Sequence, residues 1–159
     1  MSDRYTGTIS ILKEHIEKYP EVKEEVRLTF YDPDGKLYDD DCWDEESEIA
    51  EFKDVDARYG HFEELEDLLV KYKVPFDRWS AGYENYDAET VFYRPDIKKE
   101  PMYADCNGEQ EVSANKLRRM AKGLDLNTKE GILKLGKKVK KLLDDMPEIP
   151  ALATYATKS

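Results

Sequence analysis

Residues 39–48 read DDDCWDEESE, seven carboxylates in ten positions around one tryptophan. A run of like charge this dense repels itself and gives a core nothing, because ionised carboxylates are buried only when paired. The chain must leave this stretch at its surface and build its core from what lies on either side. The block is also uninterrupted: no base occurs from Tyr38 to Phe52. Acidity that serves solubility alone is usually interspersed with lysine, so this block reads as a surface to be bound.

The flanks carry patterned apolar positions. "TISILKEHIEKYP" predicts a helix with Ile9, Leu12, Ile16 and Tyr19 on one face and Pro20 as its stop. "EVRLTFY" changes period. Val26, Leu28 and Phe30 alternate with polar neighbours, which predicts a half-buried strand, and "DPDG" after it predicts the turn of a hairpin. The stretch after Trp43 has two readings: a short acidic helix over "WDEESEIAEF", or a strand over "IAEFKDVDARYG" with Phe52 and Val55 facing the core. Phe62, Leu65, Leu69 and Tyr72 mark a further helix that ends before Pro75. "PFDRWS" and "ETVFYRPD" predict two strands joined by the polar loop "AGYENYDA". Beyond Pro95 the chain loosens. Ser113 then opens a short helix and Thr128 a longer one, in which Ile132, Leu135, Val139, Leu142 and Met146 form a stripe suited to docking on the sheet. The expected fold is α+β: a small antiparallel or mixed sheet, a covering helix and a helical C-terminal part. The expected organisation is an α+β domain over 1–110 and a helical extension over 111–159 packed on it as one compact unit.

Charge is as unevenly spread as apolarity. The net charge is −11, yet residues 31–70 hold sixteen acids against three bases, and residues 111–159 hold eleven bases against six acids. Lys134, Lys137, Lys138 and Lys141 share one helix face, with Arg118 and Arg119 ahead of them. That face reads first as a solvated surface and second as a nucleic-acid contact, which the overall negative charge opposes. The N-terminus lacks the apolar core of a secretory signal, and no apolar run approaches the roughly 20 residues of a membrane span. The chain is expected in the cytoplasm, where Cys42 and Cys106 read as free thiols, although a bond between them stays open.

Chemical motifs are sparse. "VRLTFYDPDGKLYD" resembles the first motif of haloacid-dehalogenase-type phosphatases. That resemblance implies Asp32 as nucleophile and Asp34 as acid/base beside magnesium. The family's threonine after the glycine is replaced by Lys36, and its parallel sheet does not match the hairpin pattern here. A calcium loop counted from Asp32 places Lys36, Leu37 and Trp43 where oxygen, glycine and glutamate are required. His15 and His61 fall on separate predicted helices, and carboxylates around Cys42 blunt it as a nucleophile. No cofactor is expected, and an enzymatic role is the secondary reading.

The acidic block suits binding better. If extended, it carries one carboxylate per about 5 Å, and if helical, one per about 2 Å, against one charge per about 1.7 Å of B-DNA. Tyr31, Tyr38, Trp43 and Tyr59 interleave with the acids and supply interface anchors. The expected binding set is Asp39, Asp40, Asp41, Trp43, Asp44, Glu45, Glu46, Glu48 and Glu51, with Glu63, Glu64 and Asp67 as extensions. The stretch "ARYGHFEELEDLLVKYKVPFDRWSAGYENYDAETVFYRPD" and the overall makeup resemble small acidic phage- and plasmid-encoded anti-defence proteins of the anti-restriction and anti-CRISPR kind, several of which imitate DNA. The resemblance implies a non-enzymatic inhibitor whose partner is a basic, nucleic-acid-binding host enzyme. Self-association, basic helix against acidic block, is the other alternative.

Overall fold

A computed structural model of the protein describes residues 3–39, 44–82 and 86–157. Its fold is α+β. Five strands, β1 (Arg4–Leu12), β2 (Ile49–Arg58), β3 (Phe76–Ser80), β4 (Glu89–Tyr93) and β5 (Met102–Ala104), form one sheet in the order β2-β1-β3-β4-β5. Every neighbouring pair is antiparallel. Helices α1 (Lys13–Lys18), α2 (Pro20–Phe30) and α3 (Glu63–Lys71) supply the apolar side chains that meet Ile9, Ile11, Phe52 and Phe76 of the sheet.

The two leading segments differ from their sequence reading. Thr8–Leu12 is strand, and the helix starts only at Lys13. Ile9 and Ile11 are buried while Thr8 and Ser10 are only partly so, the alternation of a strand that pairs on both sides, with β2 and β3. Ile9, Leu12 and Ile16 satisfy a helical period as well, so local spacing could not choose. Pro20 does not stop a helix but opens α2 as its first residue, where its missing N–H costs nothing. The expected strand at Val26–Tyr31 is the end of that helix. Val22, Val26 and Phe30, spaced by four, are its buried residues, and Leu28 is 59% exposed. The hairpin reduces to a single bridge between Tyr31 and Leu37, closed over a turn with Gly35 at φ +81°.

Of the two readings after Trp43, the strand is found. Phe52 is buried and stacks on Phe30 at 4.8 Å, but Val55 is 65% exposed. Between the pairs Tyr5–Ala57 and Gly7–Asp54 the second strand carries one extra residue. Val55, three residues from Phe52, lies on the outward side with Glu51 and Lys53 by strand alternation, and the bulge shifts the phase so that Ala57 regains the core. Gly7 has no room for a side chain there, because a Cβ would lie 2.5 Å from the carbonyl oxygen of Gly60. The helix over Glu63–Lys71 buries Leu65 and Leu69 as expected, and the β3–β4 pair joins the two predicted strands. The short β5 lies in the stretch read as loose.

The chain divides into two compact units. One comprises residues 1–109 with 149–159 and holds the sheet; the other is 110–148. In the first, the C-terminal residues return to the strands: Leu152 is buried, and Pro150 O accepts from Arg94 Nε at 2.9 Å. The second consists of α4 (Ala114–Ala121) and α5 (Lys129–Asp145), each opened by the residue that the sequence nominated. Ser113 accepts from Lys116 N and Thr128 from Gly131 N, satisfying N–H groups that a helix start leaves unpaired. Among the described residues, no helix is long and apolar enough to cross a membrane.

Candidate functional site

The acidic block leads from the Asp32 turn into β2. Lys13, first residue of α1, holds its main chain: Nζ donates to Asp44 O at 2.5 Å and Glu45 O at 3.4 Å, and the Lys13 N–H donates to Glu48 O at 2.9 Å. Local bonds add to this. Asp44 Oδ1 accepts from Glu46 N at 3.0 Å, and Ser47 Oγ accepts from Ile49 N at 3.1 Å. The segment is therefore pinned by its backbone, which leaves its carboxylates outward. Asp44, Glu45, Glu46, Glu48 and Glu51 are all exposed.

Two of the molecule's own lysines lie against the block. Lys53 pairs with Asp39 at 3.7 Å, and Lys13 gives its ammonium to the main-chain carbonyls already named. Among the described residues no base reaches ion-pair distance of Asp44, Glu45, Glu46, Glu48 or Glu51; Glu51 accepts only a hydroxyl, Ser10 Oγ, at 3.4 Å. Asp40, Asp41, Cys42 and Trp43 lie outside the described residues. Glu63 and Glu64 are exposed but are not an extension of the block. They open α3 after β2 has run its ten residues, at the other end of a strand about 30 Å long.

Asp32 and Asp34 sit in a turn. Asp32 Oδ1 accepts from Asp34 N at 2.9 Å and Lys36 N at 2.8 Å, an arrangement that shapes the loop. Asp32 follows a helix, and every strand pair among the described residues is antiparallel, unlike the parallel sheet that the phosphatase resemblance implies. Among the described residues, no three His, Cys, Asp or Glu side chains are grouped as a metal ion would need.

Two arginines that sequence reading passed over are the buried charges among the described residues of the first unit. Arg78, 2% exposed, meets Glu66 at 2.9 Å and Glu89 at 3.1 Å, and donates to Ser80 Oγ, which donates on to Gly60 O. His61 Nε2 lies 3.4 Å from the same Glu89. Arg94, 0% exposed, meets Asp77 at 2.7 Å and donates to Phe76 O and Tyr93 O. Burial pushes the Asp77 carboxyl up, against the pull of Arg94. Tyr155 donates to Asp96 at 2.8 Å, and burial with that bond pushes its hydroxyl up to about 12. Strand parity held the signal for Arg78: it shares a side with Phe76 and Ser80. These networks fix the sheet that carries the acidic block and present no open reactive group. Cys106 is an exposed free thiol.

Compared with known proteins, the chain matches no family model, no curated protein and no solved structure.

Proposed function

We propose that the segment from Asp39 to Glu51 is a docking surface for a cationic cleft of another protein, of the kind that otherwise grips nucleic-acid phosphates. The protein then acts without catalysis, by occupying that cleft. The sequence resemblance to anti-defence proteins makes a host defence nuclease the specific partner proposed. One observation carries the reading: five exposed carboxylates, with no counter-ion among the described residues, stand on a backbone that Lys13 already holds in place. Such a surface gives up little freedom on binding, so less of the attraction is lost to ordering. Asp40, Asp41 and Trp43 enter the proposal by their place in the sequence alone.

Charge sets both the attraction and its test. Exposed ion pairs are screened over about 10 Å at 0.1 M salt, so association should weaken steeply as salt rises. Host proteins retained on the immobilised protein at low salt and released by salt would be identified, and each assayed for nuclease activity with the protein present. The variant D44K/E45K/E46K/E48K removes four attractions and adds four repulsions. It should lower affinity for the captured partner by at least about tenfold while the circular dichroism spectrum stays unchanged. Equal affinity of variant and wild type would retire the proposal.

A further inference from the structure

The second unit leaves its own surface unfinished. Neither α4 nor α5 buries a large apolar side chain; Gly131 is the one buried residue among the described residues of both helices. Leu117, Ile132 and Leu143 are exposed. A groove of about 660 Å³ runs between the two helices, with Lys116 and Arg119 on the α4 side, Lys138 and Lys141 on the α5 side, Met120 and Leu142 between them, and Asp145 as the one acid against four bases. Lys138 donates to Met120 O at 3.0 Å and so ties the helices together. Among the described residues, Lys116, Arg119 and Lys141 have no acidic partner, whereas Lys134 and Lys140 outside the groove are paired with Glu130 and Asp144. The unit holds ten bases against six acids in a chain of net −11.

We infer that this groove receives the acidic segment of a second copy of the protein. Its charge and its apolar floor call for an anionic occupant with apolar side chains beside the acids. A bare phosphate backbone meets the first requirement only. Asp44–Glu48 carries four exposed carboxylates without an ion-pair partner among the described residues, leads into the half-buried Ile49 and is present at one per copy. The contact is heterologous, so two copies either close a reciprocal pair or grow head to tail.

A charge exchange tests this. Sedimentation of the full chain at about 50 mM salt should show concentration-dependent association that is gone at about 500 mM. Each of K116E/R119E/K141E and E45K/E46K/E48K alone should weaken it by at least about tenfold. Mixing the two variants should restore it, because the acidic segment kept by one meets the basic groove kept by the other, and the reversed segment meets the reversed groove. Circular dichroism of each variant checks that it is folded, and K116Q/R119Q/K141Q provides a milder groove variant should the first fail to fold. A monomeric wild type at low salt and high concentration overturns the inference, as does a mixture that stays monomeric. Binding of a short DNA duplex through the same three bases, without self-association, overturns it in favour of nucleic acid. The groove variant keeps its acidic segment, so it should still bind a basic partner. Failure here is thereby distinct from failure of the docking proposal.

Discussion

At the scale of single residues, the buried charges set the terms. Arg78 is surrounded by groups that need it: Glu66 is mostly buried, and Glu89 is shared with His61. Removing one member of such a set leaves an uncompensated charge, which costs about 3–5 kcal/mol. Arg78→Ala should therefore lower the urea-unfolding free energy by roughly that amount, and a change below about 1 kcal/mol would show that water reaches the carboxylates. His15 gives a pH signature. Burial holds its imidazole below the ordinary value of 6.5, with Lys18 acting the same way and Glu14 opposing. The folded state then binds fewer protons than the unfolded one. The stabilising contribution is complete above pH 6.5 and is lost as pH falls through the lower, folded value. Wild type should lose stability relative to His15→Gln as pH drops below 6.5, as urea midpoints measured across that range will report.

At the scale of elements, ambiguity of period decided what could be read. Val26, Leu28 and Phe30 fit a strand, and Val22, Val26 and Phe30 fit a helix. The two patterns share two residues and differ in Leu28. The helical assignment makes a sharp expectation. Val26→Ala should cost about 2 kcal/mol through lost burial, while Leu28→Lys should change stability by less than about 0.5 kcal/mol. If Leu28→Lys proved as costly as Val26→Ala, the strand would return. Elements with an unshared signal were legible. Ser113 and Thr128 announce α4 and α5 by their capping hydroxyls, and the stripe of Leu65 and Leu69 announces α3. The burial of Ala57 was not, because the bulge that returns it to the core exists only in the pairing of β2 with β1.

At the scale of the whole molecule, the C-terminal residues close the first unit. Leu152 is buried, Pro150 O serves Arg94, and Thr157 donates twice to Glu14, holding that carboxyl below its usual range. Ending the chain after Glu148 would strip one partner from a fully buried guanidinium and expose the apolar surface that Leu152 covers. Such a truncation should destabilise the sheet unit by several kcal/mol, about 2–3 from the leucine alone, read as a lowered midpoint of thermal unfolding. A midpoint unchanged within error would show that the tail is dispensable. By itself the sequence determined what must face water. Seven carboxylates in ten positions cannot be buried at any register, so the exposure of Asp44 to Glu48 followed from composition alone. It also determined the helices that carry their own caps. Tertiary structure decided which of two coincident periods was used, which arginines went inside, and that Lys53 turns to Asp39 while Glu45 and Glu46 keep their charge. The reason is physical: a period is a local property, whereas strand pairing, counter-ions and bulges are contacts between residues far apart in the chain, and only the fold brings them together.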